Sequence, residues 1–246
     1  MTEQAPSLRL YHSPDSASVV VKLALEASGT AYDCVVVDRA AGEQRGDTFR
    51  ALNPQGLVPV LIDDGDVLYE TGAILLQLVD THGAPGPRPG AAKRAQFYKW
   101  LFFLSNTVHA DLRVAFYTHR YTVNPDCVEA VRAALCERLR QHFTLLDSAL
   151  ADSSGDWLMG REQTVADFYL AACARWAALY PLDAPVCGKE PARLKHVRVW
   201  LKRLEQVQEV KRVFASDGVS GDVFTKPDYP PGIERLLRSA GPGKEC

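Results

Sequence analysis

The run Asn53-Pro54-Gln55-Gly56-Leu57-Val58-Pro59-Val60-Leu61 holds a stop, a turn and the start of an apolar strand within nine residues. Proline and glycine at its head cannot continue a helix, so the helical turn expected at Thr48 to Leu52 ends there. Downstream, Val58 to Ile62 and Val67 to Tyr69 are short apolar runs joined by Asp63-Asp64-Gly65-Asp66. An Asp-Gly pair between two such runs signals a tight antiparallel hairpin. A helix then starts near Glu70-Thr71-Gly72, with Thr71 as its cap and Ile74, Leu75, Leu78 and Val79 as its buried stripe. Upstream, Leu8 to Tyr11 alternates as a strand does. Ser18 to Ser28 reads as a helix that places Val19, Val20, Leu23, Ala24 and Ala27 on one face before Gly29 stops it. Tyr32 to Val37, rich in β-branched residues, completes a βαβ unit whose two strands must run parallel.

Gly83-Ala84-Pro85-Gly86-Pro87-Arg88-Pro89-Gly90 has three prolines and three glycines in eight positions, so neither helix nor strand runs through it. Beyond it the apolar period becomes helical. Phe97, Trp100, Leu101, Leu104, Val108 and Leu112 keep the spacing of one long helix, and Pro125 to about Leu150, Thr164 to about Leu179 and Arg193 to about Phe214 behave likewise. Thr164-Val165-Ala166-Asp167 has the form of a capping box, with Asp in place of Glu or Gln. After Asp217 the composition turns to Gly, Pro and charge, which reads as an irregular extension with a short helix near Glu234 to Arg238. The expected division is an α/β domain at 1–83, a linker at 84–90 and an all-helical domain at 91–246 ending in that extension.

The 246 residues are 47% hydrophobic and 24% charged, as in soluble globular chains, so disorder and fibrous architectures are excluded. Lysine plus arginine (28) nearly balances aspartate plus glutamate (30), a formal charge of −2 that gives no electrostatic reason to expect nucleic acid or an anionic membrane as partner. The N-terminus shows no basic stretch leading into an apolar one, and no apolar run approaches the ~18 residues of a membrane span. A cytoplasmic location is expected. Cys34, Cys127, Cys136, Cys173, Cys187 and Cys246 are scattered without C-x-x-C or zinc-ligand spacing, which points to reduced thiols and to no structural metal.

The order βαβ, short helix, ββ, helix is the topology of the thioredoxin-like fold. Joined through a Gly/Pro linker to an all-helical domain of this length, it resembles the cytosolic glutathione transferases. The resemblance is carried by Asn53 to Leu61, by Glu70-Thr71 at the start of the next helix, and by Thr164 to Asp167. The opening Tyr11-His12-Ser13-Pro14-Asp15-Ser16-Ala17-Ser18 looks most like the bacterial beta-type enzymes, although Ala17 stands where those carry a cysteine.

Several site assignments follow from that resemblance. Only about 5–6% of X-Pro bonds are cis, but Pro59 resembles the cis proline of this fold, which implies that the Val58 backbone pairs with the cysteinyl part of glutathione as an added strand would. Glu70 and Thr71 correspond to the pair that holds the γ-glutamyl end, where a helix N-terminus suits a carboxylate. With the cysteine replaced by Ala17, thiol–disulfide exchange through a protein cysteine is disfavoured, leaving a hydroxyl at the first helix to stabilise the glutathione thiolate. Lowering a thiol pKa by two units takes about 2.7 kcal/mol; a helix N-terminus gives about 0.3–1 and a hydrogen bond to a charged group about 1.5–3. Only a hydroxyl placed at the helix start combines both, with Ser16 the first candidate, then Ser18 and Ser13. His12, where beta-type members often have tyrosine, would alter the pocket floor; His109 matches a cleft-facing histidine; Tyr117 and Trp176 are candidates for an apolar acceptor pocket. The implied activity is attack of a glutathione thiolate on a small electrophile in a homodimer, with glutathione as cosubstrate and no metal. Isomerase, peroxidase or dehalogenase chemistry, or a non-catalytic binding or assembly role, would suit the same fold.

Overall fold

The structure is a computed structural model that describes residues 8–181 and 191–235. Its first compact unit gathers the described residues of Met1–Ala84 and Tyr229–Cys246 with Arg212–Val219. Here β1 (Leu8–His12), α1 (Ser18–Ser28) and β2 (Tyr32–Val36) form the expected βαβ unit, with the strands parallel and Leu10 opposite Cys34. The one-turn helix α2 (Asp47–Arg50) precedes β3 (Val60–Asp63), β4 (Asp66–Tyr69) and α3 (Thr71–Thr81). β3 runs antiparallel to both β1 and β4, giving the mixed sheet order β2-β1-β3-β4. The hairpin closes through Asp64 and Gly65, both at positive φ (49° and 96°), as a two-residue turn between twisted strands requires.

Burial of α1 exceeds its predicted stripe. Every residue from Ser18 to Leu25 is buried, Lys22 included. One face packs with α3, while the polar face that an isolated amphipathic helix would leave in water is covered by Arg212–Val219. There Lys22 Nζ donates to Ser216 Oγ at 2.8 Å and to Asp217 Oδ1 at 2.6 Å, and Arg212 pairs with Glu26 at 3.2 Å.

The second unit comprises Pro85–Lys211 and Ser220–Asp228. It holds α4 (Arg94–Phe103), α5 (His109–Phe116), α6 (Val128–Ala151), α7 (Val165–Leu179) and α8 (Lys195–Leu204), while α9 (Gln208–Ser216) runs through the division, its residues from Arg212 on belonging to the first unit. A cut in chain order at residue 91 would place all of the tail with the helices; the contacts of Lys22 and Glu26 put Arg212–Val219 elsewhere. Within the second unit the fully buried Arg175 guanidinium donates to the carbonyls of Val223 (2.8 Å) and Asp228 (2.6 Å). The Glu205 carboxylate accepts from the amides of Phe224 and Thr225. These bonds give the glycine- and proline-rich tail a defined path that its composition does not announce.

Four sequence expectations need correction. The Phe97–Leu112 stripe is buried at Phe97, Leu101, Leu104, Val108 and Leu112, but the helix is interrupted by a π-helical stretch, Leu104–Val108, where α4 passes into α5. The helix expected from Arg193 to Phe214 is two, α8 and α9, separated at residues 205–207 by i−3 bonds from Gln206 and Val207 without any proline or glycine. Pro125–Cys127 forms a 3-10 turn ahead of α6. Thr71 is the first helical residue of α3, and Glu70 holds the cap position without a side-chain capping bond. The short helix expected at Glu234 to Arg238 has begun at residues 233–235; the rest of it lies outside the described residues.

The capping box at Thr164 is present, and its acid has taken on more than capping. Asp167 accepts from the amides of Thr164 (2.8 Å) and Leu158 (2.9 Å), from Thr164 Oγ1 (3.1 Å) and from the Trp200 indole N–H (3.0 Å). Burial pushes its carboxyl above the usual range while these donors pull the other way. Asp167→Ala strands several buried donors at once and is expected to lower unfolding free energy by about 3–5 kcal/mol in urea titration; a loss under about 1 kcal/mol would mean the carboxylate is dispensable.

Candidate functional site

Sheet topology brings three loops to one edge. β1 ends at His12, β3 begins at Val60 opposite Tyr11, and β4 ends at Tyr69, also opposite Val60. The turn into α1, the loop ending at Pro59 and the Glu70–Thr71 turn therefore emerge together, at the carboxyl end of β1.

The first loop is a hydrogen-bonded cluster of small polar side chains. Ser13 N–H donates to Ser18 Oγ at 3.0 Å, Ser16 Oγ donates to the Ser13 carbonyl at 2.7 Å, and the Ser16 and Ser18 hydroxyls lie 2.7 Å apart. Ser18 is fully buried and Ser13 nearly so, whereas Ser16 is partly exposed. Of the three candidate serines, then, Ser16 is the one left partly exposed at the start of α1, and Ser18 stands behind it. His12 corrects a further expectation. Its ring is only 1% exposed, with Nδ1 2.9 Å from Ser18 Oγ and Nε2 3.0 Å from both oxygens of Asp217, so both nitrogens are engaged inside the unit and none faces a pocket floor. Burial alone would raise the Asp217 carboxyl, but the adjoining His12 and Lys22 hold it below the usual carboxylate range.

The second and third loops are shaped by backbone demands. Asn53, buried, donates through Nδ2 to the Leu57 carbonyl (2.8 Å) and accepts from the Gln55 amide (3.1 Å), folding the loop back on itself. Gly56 has φ +65°, and a Cβ there would lie 2.8 Å from the Gln44 carbonyl oxygen, so glycine is required on both counts. The Val58–Pro59 bond is cis. The Val58 side chain packs with Val37, Phe49 and Val60, which leaves its backbone outside β3 at the sheet edge. Glu70 holds φ 73°, ψ 112°, a conformation that costs a non-glycine residue about 1–3 kcal/mol and recurs at ligand sites. Its exposed carboxylate accepts from Gln55 Nε2 at 3.1 Å, tying the two loops together, while Thr71 is buried at the head of α3.

In the helical unit, the π-helical stretch ends where His109 begins, a register change of the kind that often re-aims a functional side chain. His109 Nδ1 lies 2.7 Å from the Tyr169 hydroxyl, and its ring rests on Trp176 with centroids 4.9 Å apart. Burial, aided by the Arg113 cation, pushes the imidazole down to about 4, so it is neutral at pH 7. The Trp176 indole N–H is buried without a hydrogen-bond partner among the described residues. Tyr117 lies at the far end of α5 under the Arg120 guanidinium, 4.6 Å from its ring centroid, away from this trio.

Family models match the chain twice, as glutathione S-transferase N-terminal domain over residues 10–86 and as glutathione S-transferase C-terminal domain over residues 129–203. Glutathione S-transferase 3 of Zea mays is 31% identical over 200 residues, 78% of this chain and 86% of that protein. The chain belongs to the glutathione S-transferase family. Glutathione S-transferase GstA of Escherichia coli O157:H7 is 27% identical over 218 residues, 86% of this chain and 100% of its own length. A glutathione transferase homologue from Sulfitobacter, solved with bound glutathione, is alike at a TM-score of 0.73 and 25% identity, covering 85% of this chain and 97% of that one.

In this member of the family, Cys34, Cys127, Cys136 and Cys173 are free thiols, while Cys187 and Cys246 lie outside the described residues. Burial pushes the thiols of Cys34, Cys136 and Cys173 up, the opposite of what an activated nucleophile needs. No helix among the described residues is long and apolar enough to cross a membrane. Sequence inspection missed Asp217, Lys22 and Tyr169; of these only the lone lysine inside the apolar run of α1 gave a signal, since a buried lysine needs a carboxylate.

The neutral state of His109 has a thermodynamic consequence. Between about pH 6.5 and 4 the unfolded chain protonates this histidine and the folded chain does not, so stability rises with pH across that window. Going from pH 7 to 4.5 should cost the protein about 2 kcal/mol more than it costs His109→Phe, by urea unfolding; parallel losses would show that His109 is not held neutral.

Proposed function

We propose that this protein binds glutathione at the loop edge of its α/β unit and turns the glutathione thiolate on a small apolar electrophile. The observation that chiefly supports this reading is the partly exposed Ser16 at the start of α1, on the sheet edge that also carries the cis Val58–Pro59 loop and the strained Glu70 turn. In that arrangement Val58 would offer its amide and carbonyl to the cysteinyl backbone. The Glu70 carboxylate suits the γ-glutamyl ammonium, and the Thr71 amide and hydroxyl suit the neighbouring carboxylate. Ser16 donates to the sulfur, the thiol proton leaves to water, and sulfur forms a bond to the electrophilic carbon as the displaced group departs with its electron pair.

The helical unit is assigned the acceptor. Neutral His109 stacked on Trp176 makes this region apolar and aromatic. Tyr117 is retained as a more distant contributor. A cytoplasmic homodimer acting in detoxification completes the reading; the exposed aromatic pair Tyr98 and Phe102 on α4 suits an interface between copies.

Glutathione at 100 times its dissociation constant should stabilise the protein by about 2.7 kcal/mol, read as a rise in melting temperature; no rise at millimolar ligand removes the proposal. In calorimetry Glu70→Ala should weaken glutathione binding about 10- to 100-fold. Ser16→Ala should lower turnover of an aryl halide by a similar factor near pH 7 while largely sparing affinity. Tight binding with no turnover of any electrophile by the unaltered protein would instead identify a glutathione-binding protein without transferase activity.

A further inference from the structure

A line of short contacts runs from the Arg212–Val219 segment to the partly exposed Ser16. Asp217 lies 3.0 Å from His12 Nε2, His12 Nδ1 lies 2.9 Å from Ser18 Oγ, Ser18 Oγ lies 2.7 Å from Ser16 Oγ, and Ser16 Oγ lies 2.7 Å from the Ser13 carbonyl oxygen. Contacts of this length each hold one proton. The protons can be placed by starting at the carbonyl, which can only accept.

Ser16 donates to Ser13 and has no proton left for Ser18, so Ser18 donates to Ser16. Ser18 then has none left for His12, so Nδ1–H donates to Ser18. Nε2, facing both oxygens of an ionised carboxylate, donates as well. His12 therefore carries a proton on each nitrogen. Ser18 Oγ also accepts from the Ser13 amide at 3.0 Å and lies 3.2 Å from the Ser13 carbonyl, so its proton is shared between Ser16 Oγ, the nearer acceptor, and that carbonyl; Ser16 Oγ accepts from the Ser18 amide at 3.4 Å. A neutral ring would leave one of the three contacts at 2.7–2.9 Å with two lone pairs face to face and no proton between them.

Resting on the glutathione reading above, we propose that His12 and Asp217 are positioning residues of the thiol site: Asp217 holds His12 as an imidazolium, which orients and polarises the Ser18–Ser16 hydroxyl chain so that Ser16 donates outward to the sulfur. When a thiolate arrives, the Ser16 proton turns from the Ser13 carbonyl to the sulfur and every other bond of the chain stays in place. With both nitrogens protonated, His12 cannot accept the thiol proton, which passes to water; the chain is a donor and not a base.

Charge favours the same outcome. Lys22, 2.6 Å from Asp217, together with the imidazolium leaves the buried trio with one net positive charge behind the start of α1. Its titratable neighbours on α1 and β2 do not cancel it. Glu26 on α1 is paired with Arg212 of α9, and on β2 Tyr32 and Cys34 are both pushed up, Tyr32 and Cys34 alike chiefly by burial, and stay neutral.

Two measurements on the full chain decide the matter. The first is ¹⁵N NMR of the histidine side chains at neutral pH, with the His12 signals assigned by His12→Gln. Two protonated nitrogens are expected, and a neutral tautomer overturns the inference whatever glutathione does. The second is the ultraviolet thiolate absorbance of bound glutathione titrated against pH in the unaltered protein and in Asp217→Asn, His12→Gln and Asp217→Glu, each checked for a folded circular dichroism spectrum. Asp217→Asn and His12→Gln should raise the midpoint of thiol ionisation by about one pH unit, with Asp217→Glu returning it toward the original value. Glutathione that binds with an unchanged midpoint in both of the first two variants overturns the inference alone, whereas an unaltered protein that binds no glutathione in calorimetry overturns the functional reading and this inference together. Should Asp217→Asn fail to fold, His12→Gln and the NMR measurement carry the decision.

Discussion

Strand β1 is hydrogen-bonded on both sides, parallel to β2 and antiparallel to β3, and its inward residues Leu8 and Leu10 are wholly buried. A strand so enclosed cannot slip by one residue without turning its apolar set to the wrong face. Its direction then dictates where the chain must emerge. The end of β1, the start of β3 and the end of β4 share one edge, so Ser13–Ser18, the loop up to Pro59 and Glu70–Thr71 are neighbours because of strand polarity, before any of their side chains interact. The meeting of these loops is a consequence of strand pairing.

Features with local causes were legible in the sequence. The Asp64-Gly65 hairpin, the stop of α1 at Gly29, the Asn53 turn with its obligatory Gly56 and the Thr164 capping box each follow from residues within a few positions of one another. What escaped has its cause elsewhere in the chain. The break between α8 and α9 contains no proline or glycine, and beside it Glu205 is drawn into bonds with Phe224 and Thr225, nearly twenty residues on. The π-helical stretch before His109 leaves the apolar spacing intact on either side, so periodicity could not reveal it. Lys22 breaks the apolar run of its own helix, but the carboxylate that it pairs with lies on a segment from the far end of the chain.

The candidate site divides in the same way. Residue type at the start of α1 narrowed the choice to three hydroxyls, but which of them stays partly exposed depends on packing: Ser18 is sealed beneath Ser16, and Ser13 contributes mainly its carbonyl. His12 shows the limit of reasoning by position. A ring expected at a pocket floor is instead held between Ser18 and Asp217, where it acts only through the hydroxyls in front of it. In the helical unit His109 and Trp176 do meet, whereas Tyr117, just past the end of α5, turns to Arg120.

Ala17 with serines on either side determines what the start of α1 can do. A cysteine can both stabilise an anion and exchange a disulfide; a hydroxyl has no redox chemistry and a weaker dipole than a charge, so its usefulness to an anion depends on what stands behind it. A carboxylate such as Asp217 placed alone beside this helix start would repel a thiolate. Bound to Lys22 and His12 together, it does the reverse, because a single negative charge retains two positive ones in a space where neither would otherwise be tolerated. The acidic residue from the tail thereby makes the interior behind Ser16 electropositive, and the serine cluster conveys that field to the surface through hydrogen bonds whose directions are set by the carbonyl of Ser13.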